Sequence, residues 1–333
     1  MSWDLQNHFV SFIFFDSGSI PSEISKLLNL QSINFSRNHL TGTVPVELFA
    51  MPKLEYLKLT ANMLRGSIPT AIGQASTLKH LSLNNNLLFG KLVTEIGNVT
   101  TLESLNIAFN EFWRGIPTEI GFLTNLRDLV IEDNRISGVL PTEISQLTDL
   151  QYFFLSNNLF TGTIPTLFAA LTNLKEFGLA YADFGGTFPK QLSTLTNLYR
   201  LHVDGNNFEG TIMTEFGKMK SMSWLSLSDN DFSGSIPTEF GLLLNMTRLS
   251  LKDTLVNGTI PTQLGYLTRL EELALSKTFL SGKVPEEICA LRNRQMVLLV
   301  TDCLEEYPDR SVRGVQCSIP DCCSFCRPGS TRE

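Results

Sequence analysis

The chain has 333 residues, a formal net charge of −7 and 43% hydrophobic residues, which excludes the strongly basic balance of a nucleic-acid binder. No apolar run approaches the roughly 18 residues that a membrane-spanning helix needs, so no span is expected within this chain. All six cysteines fall after residue 288, which confines any cysteine chemistry to the C-terminal end.

At the N-terminus, the apolar segment FVSFIFF at residues 9–15 follows Asp4 and no Lys or Arg, unlike the leader of a secreted protein. A repeat frame explains this region better. Gly18, Ile20, Pro21, Ile24 and Leu27 stand one period before Gly42, Val44, Pro45, Leu48 and Met51. Gln6, Ser11 and Phe14 occupy slots that want Leu, Leu and Asn, so residues 1–29 read as a degenerate repeat. A solenoid end without a cap exposes apolar residues and a strand edge, so we expect the natural N-terminus upstream of Met1. Membrane attachment, if any, is expected through that upstream segment.

Residues 30–293 carry a 24-residue period whose leading slot holds Leu30, Leu54, Leu78, Leu102, Leu126, Leu150, Leu174, Leu198, Met222, Met246 and Leu270. Residues 54–77, LEYLKLTANMLRGSIPTAIGQAST, show the parts. The L-x-L step predicts a short parallel strand with its leucines inward and the intervening residues in solvent. The slot after it holds Asn38, Asn62, Asn86, Asn110, Asn134, Asn158, Asn206 and Asn230, whose amides can satisfy buried backbone at the turn. Ala182 has no such group, so an irregularity is expected there, and Thr254 and Thr278 are partial substitutes. A glycine turn follows in every repeat except at Arg114. Next come Ile-Pro or its variants and a short helical turn, where Thr is expected to cap orphan amides. In residues 294–333 the frame predicts one more strand at Val297, Leu299 and Asp302, then a cysteine-rich cap. Cys289, Cys303, Cys317, Cys322, Cys323 and Cys326 read as structural disulfides of an oxidising compartment. A zinc site from Cys317, Cys322, Cys323 and Cys326 is the other reading; the adjacent pair fits C-x-x-C spacing less well, and no metal is expected.

No nucleophile, phosphate loop or metal motif accompanies the scattered His8, His39, His80 and His202, so neither catalysis nor a cofactor is expected. The solvent face of the strands is richer than a solvated surface normally is. It carries Phe109, Asp128, Val130, Glu132, Asp133, Tyr152, Phe154, Tyr181, Tyr199, Arg200, His202 and Trp224, with Arg248 nearby. Exposed Tyr, Trp and Arg anchor interfaces, while ring packing across adjacent strands is the alternative explanation. Two threonine rows lie elsewhere: Thr70, Thr94, Thr118, Thr142, Thr166, Thr214, Thr238 and Thr262, and Thr43, Thr163, Thr187, Thr211 and Thr259. Such hydroxyl rows admit ice binding as a remote alternative.

The period of 24 with L-x-x-L-x-L-x-x-N, as in residues 54–62, is the leucine-rich repeat signature. The recurring [LF]-x-G-x-[IV]-P makes residues 16–291 resemble the plant-type class of receptor-like ectodomains and secreted polygalacturonase inhibitors. V300-T301-D302-C303 with its downstream cysteines resembles, more loosely, leucine-rich repeat proteins of diatoms. The resemblance implies a right-handed α/β solenoid of about eleven repeats with a parallel concave sheet and a cysteine-rich C-terminal cap. It further implies an extracellular or cell-surface protein that recognises a protein or peptide on the concave face, or alternatively inhibits a carbohydrate-active enzyme.

Overall fold

The computed structural model describes residues 9–11, 18–292, 298–303, 315–316 and 325–328. The chain divides into two compact units, Met1–Thr161 and Gly162–Glu333.

In the first unit, three-residue strands recur at the L-x-L step: Ser32–Asn34, Tyr56–Lys58, His80–Ser82, Ser104–Asn106, Asp128–Val130 and Tyr152–Phe154. They pair in parallel with a 24-residue offset, as Leu57 with Leu81 and Leu129 with Phe153. The central residue of each strand points inward, and Ile33, Leu57, Leu81, Leu105, Leu129 and Phe153 are fully buried. Strand Phe9–Ser11 adds to the edge, but Val10 pairs with Ile33, an offset of 23. The degenerate first repeat is therefore one residue short.

A second parallel sheet, not foreseen in the sequence, is built from the [LF]-x-G segments Arg65–Gly66, Leu87–Gly90, Glu111–Arg114 and Arg135–Gly138. Its inward residues Leu88, Phe112 and Ile136 are buried, and its other residues face solvent. The chain then closes each coil through a 3₁₀ turn such as Thr70–Gln74, Thr94–Asn98 or Thr142–Gln146.

These turns correct the capping expectation. The N-cap position is Pro69 before Thr70 and Pro141 before Thr142, in extended conformation, and neither turn has a side-chain cap bond. Thr is the first residue inside the turn and not its cap. Thr142 Oγ1 instead reaches Glu143 Oε2 at 3.3 Å. Tight turn-on-turn stacking also explains Gly97: a Cβ there would meet the Glu119 carbonyl oxygen at 2.5 Å.

The second unit repeats the plan with strands Glu176–Gly178, Arg200–His202, Trp224–Ser226, Arg248–Ser250 and Glu272–Ala274. Its second sheet comprises Asp183–Thr187, Asn207–Thr211, Asp231–Ser235, Leu255–Gly258 and Phe279–Leu280. Phe184, Phe208 and Phe232 form a buried ring stack between the sheets, with centroids 6.4 and 6.1 Å apart. Full burial of each such ring contributes about 1.5–3 kcal/mol.

The C-terminal end departs from the frame. The last turn widens into an α-helix, Glu286–Arg292, and Leu273 pairs with Leu299, an offset of 26. The expected strand at Val297 is thus displaced by two residues, and Leu299 and Thr301 fill the inward slots with no exposure. Val297 itself lies outside the described residues. Phe325–Pro328 pairs in parallel along the outer edge of Leu298–Cys303, as Thr301 with Cys326. Cys289 is disulfide-bonded; the side chains of the other five cysteines lie outside those described.

The asparagine slot works as the sequence implies. Asn134 Nδ2 donates to the carbonyls of Ile107, Ile131 and Glu132 at 3.1–3.2 Å, and its Oδ1 accepts the Phe112 N–H at 3.0 Å. One buried amide therefore satisfies its own turn and the preceding coil. Thr254 and Thr278 reproduce the bond to their own turn, at 2.7 and 2.8 Å. The irregularity expected at Ala182 does not appear in the backbone, since Tyr181 holds φ 55° like its equivalents Ala61 and Asn157. Asn134→Ala leaves the buried Phe112 N–H and three carbonyls without this partner. It should cost about 2–3 kcal/mol in urea unfolding of the intact chain, and Asn134→Thr should recover part of that loss.

Candidate functional site

Residues on the solvent side of the three-residue strands lie 24 apart in sequence and one strand spacing, about 4.8 Å, apart in space. They therefore form rows, and the rows decide what each unit presents.

In the first unit, Asp128 stands beside Tyr152 and Val130 beside Phe154. Asp128, Tyr152 and Phe154 are half-buried, so these rings are neither core nor free in solvent. Phe109 and Asp133 hold the residue position just before the asparagine. There φ is 54° and 53°, a left-handed conformation in which the side chain is thrown outward over the strand ends. Phe109 is 47% exposed. Glu132 lies between, its carboxyl raised above the usual range by burial and by the Asp133 charge. Further along the same face Tyr56 stacks flat on His80, with centroids 4.7 Å apart.

The second unit carries a more organised row: Glu176, Arg200, Trp224, Arg248 and Glu272, on five successive strands. Both guanidinium groups stand over the indole of Trp224, Arg200 at 4.9 Å and Arg248 at 4.6 Å from the ring centroid. Each arginine then turns to its outer glutamate, Arg200 to Glu176 at 2.8 Å and Arg248 to Glu272 at 3.9 Å. Glu176 is only 9% exposed, and it also accepts the Tyr199 hydroxyl. A carboxylate so far out of water is tolerable because two donors compensate it. Glu176 was not among the residues singled out from the sequence. It occupies an ordinary exposed slot, and only its neighbours bury it.

Beside this row, His202 packs its ring 4.3 Å from that of Trp224. Its Nε2 and the Arg200 Nε are buried without a hydrogen-bond partner among the described residues. Burial, reinforced by the Arg200 charge, lowers the His202 pKa to about 4, so the imidazole is neutral near pH 7. Asp204 does not form a dyad with it. Its carboxylate accepts from the Ser226 hydroxyl and from the Ser228 N–H at 3.2 Å, and burial pushes its pKa up. Tyr181, 58% exposed at φ 55°, lies over Gly205, where a Cβ would stand 2.5 Å from the tyrosine ring. The ring-packing explanation accounts for part of the aromatic face. His202 and Trp224 pack on each other, while Phe109 and Tyr181 stand free of that packing.

The left-handed slot could have been found in the sequence. Asn85, Asp133, Asn157, Gly205, Asp229 and Asp253 occupy it, and Asn, Asp and Gly are the residues that tolerate it. Bulky Phe109 and Tyr181 in the same slot then stand out as held against local preference.

Two outcomes follow. Gly205→Ala should destabilise the chain by about 1–2 kcal/mol, because alanine resists this conformation and meets the Tyr181 ring. Adding Tyr181→Ala should relieve part of that loss in a double-mutant cycle. For His202, the folded pKa of about 4 lies below its ordinary 6.5, so the unfolded chain takes up the proton first on acidification. The contribution of His202 is complete above its ordinary pKa and is lost as pH falls toward the folded value. Asp204 acts in the opposite sense lower in the range, because its carboxyl is raised. Between about pH 7 and 5 the thermal midpoint should fall, and His202→Gln should flatten that slope.

The model of the Leucine rich repeat family matches residues 100–160 and 124–184, and a second leucine-rich-repeat model matches residues 29–51 and 221–243. Among curated proteins no relative matches the chain. Among solved structures, the Arabidopsis receptor kinase HAESA, in complex with the peptide hormone IDA and the co-receptor SERK1, is 32% identical with a TM-score of 0.79. The match covers 85% of this chain and 47% of that one. A plant ice-binding protein is 25% identical over 67% of this chain and 74% of its own, with a TM-score of 0.59. The chain spans about half or less of the length of the plant receptors it matches, 41% for PEPR1, 47% for HAESA and 52% for RGFR1. The Leptospira interrogans leucine-rich repeat protein LIC12759 is 32% identical, with a TM-score of 0.72, over 86% of this chain and 68% of its own. With the 24-residue coils, the asparagine slot and these matches together, the chain belongs to the leucine-rich repeat family, of the plant type.

Proposed function

We propose that this protein recognises a peptide or protein ligand on the solvent face of its long parallel sheet, without catalysis. The cell surface or the extracellular space is the proposed setting, with the six C-terminal cysteines as a disulfide-bonded cap. The observation that carries the reading is the row Glu176, Arg200, Trp224, Arg248 and Glu272. It holds an aromatic ring and two guanidinium groups in fixed positions on a water-facing surface, which are the residue types and the preorganisation that binding hot spots use. Tyr181 in the second unit, and Phe109, Tyr152 and Phe154 in the first, extend the apolar contact available on each unit. Asp128, Glu132 and Asp133 add an acidic group to the first. Solved relatives hold peptide hormones, as HAESA holds IDA, and that supports a peptide as the ligand class.

The test begins with peptides selected from a random displayed library on the intact chain. Trp224→Ala should weaken the selected peptides about ten- to thirty-fold, with Tyr181→Ala and Phe154→Ala having smaller effects. Unchanged affinity in all three variants, with melting transitions intact, would sink the assignment.

A second reading has its own support. The second unit carries Thr163, Thr187, Thr211, Ser235 and Thr259 as an unbroken row of exposed hydroxyl residues. The threonine methyls lie against the glycine of the next coil, where an added Cβ would stand 3.0–3.2 Å from them, which fixes the hydroxyl side. The other threonine row does not cap its turns. Similarity to a plant ice-binding protein makes ice a ligand to test. Thermal hysteresis lost in Thr187→Leu and Thr211→Leu would support this reading, and its absence in the parent chain would dismiss it.

A further inference from the structure

The second parallel sheet has the same slots in both units, yet the two units fill them with different chemistry. In the first three strands of the second unit its outward residues are acidic or small and polar: Asp183, Gly185, Asn207, Glu209, Asp231 and Ser233, with half-buried Leu255 and Phe279 on the two strands after them. In the first unit the corresponding surface is apolar and cationic. Phe89 is 49% exposed, Trp113 44%, Met63 42%, Val139 65% and Leu159 58%, with half-buried Leu87 among them. Arg65, Lys91, Arg114 and Arg135 are exposed on the same strands or just beyond them, and none is ion-paired among the described residues.

Strand register places these groups side by side. Arg65 stands beside Leu87, Phe89 beside Glu111, Trp113 beside Arg135 and Ser137 beside Leu159. Arg114 takes the turn slot that glycine fills in other coils, at φ 66°, and its guanidinium lies 5.1 Å from the Trp113 ring centroid. A bulky cation forced into a left-handed position, where it covers an exposed indole, has no role in closing the coil, since glycine does that elsewhere. Glu111 is the one acid of this patch, so four cations face one carboxylate on a chain whose net charge is −7.

We propose that this face of the first unit is a docking surface for an anionic lipid bilayer. Phe89, Trp113, Met63 and Val139 enter the boundary between headgroups and acyl chains, while Arg65, Lys91, Arg114 and Arg135 meet the phosphates. Indole and phenyl rings partition to that depth, and arginine pairs well with phosphate. Each basic residue near an anionic bilayer strengthens attachment by several-fold. A polyhydroxylated acidic polymer fits the patch less well. It needs hydrogen-bonding side chains between the rings, and here Leu87, Arg135 and Leu159 stand in the slot that holds Asp183, Asn207 and Asp231 in the second unit. Among the described residues no helix is long and apolar enough to cross a membrane. This attachment is interfacial and reversible.

The experiment is co-sedimentation of the full chain with vesicles of phosphatidylcholine containing phosphatidylserine, against phosphatidylcholine alone. Binding is expected to the mixed vesicles, weakening as salt is raised. Arg65→Gln with Arg135→Gln should weaken it about thirty-fold, from two surface cations. Phe89→Ser with Trp113→Ser should abolish binding while leaving the thermal midpoint near that of the parent, because both side chains are exposed. Trp113 fluorescence should shift to the blue on binding, and that shift should be missing in Trp113→Phe. Equal binding of the parent and the Phe89→Ser, Trp113→Ser variant overturns the proposal. So does a chain that ignores both vesicles but binds polygalacturonate through the same four cations, which assigns the face to an acidic glycan.

Discussion

A buried side-chain amide, recurring in most coils, sets the geometry on which everything else rests. Asn62, Asn86, Asn134, Asn158, Asn206 and Asn230 each donate to the carbonyls of their own turn and of the coil before, and each accepts a backbone N–H from that earlier coil. A backbone turn leaving a strand would otherwise bury several unpaired groups. Because the amide reaches one coil back, it ties successive coils at the 24-residue spacing, and the offsets of 23 and 26 occur only at the two ends among the described pairs. The residue before the asparagine is driven into the left-handed region by the same turn. That residue is Phe109 before Asn110, and Tyr181 takes the same slot and the same left-handed conformation before Ala182, where no amide stands. The turn geometry of the coils therefore projects both exposed rings from the sheet face.

The face itself shows how an ordinary strand position becomes a prepared one. Alternation makes Glu176, Arg200, Trp224, Arg248 and Glu272 outward-facing, which for charged residues normally means solvation and little energy. Here the ring of Trp224 lies between two guanidinium groups, and the glutamates hold the outer side of each. The arginines lose rotamer freedom in the free protein, so less is lost when a ligand arrives. Glu176 shows the depth of this arrangement. It is as buried as the asparagines, and it depends on Tyr199 and Arg200 for its remaining partners. Neutral His202, packed against the same indole, completes a surface whose charges are committed to one another while its rings remain partly open.

Much of this was legible before any coordinates. Inward leucines, the asparagine slot and the glycine turn follow from residue chemistry at a fixed spacing, and Thr254 and Thr278 behave as the half-competent substitutes their single hydroxyl allows. Other features were not legible because they depend on neighbours rather than on slots. The [LF]-x-G segments carry only one inward residue each, too few for an alternation signal, so the second sheet leaves no mark in the sequence pattern. Threonine before glutamate reads as a helix cap in any sequence. Here the preceding proline takes the cap position, and the turn is too short to need another. The final strand slipped by two residues because the last turn became an α-helix, Glu286–Arg292. Of the candidate site, the residue identities were visible, but the clamp on Trp224 and the burial of Glu176 were not, since each depends on side chains from three strands at once.

The most direct measurement is oxidative footprinting of the intact chain with and without a selected peptide bound. If the sheet face is the recognition surface, Trp224, Tyr199 and Tyr181 will be protected by the peptide, and Trp113 and Tyr266 will oxidise as in the free protein. Protection confined to Trp113 or to Tyr266, with Trp224 unchanged, would place recognition elsewhere and contradict the account.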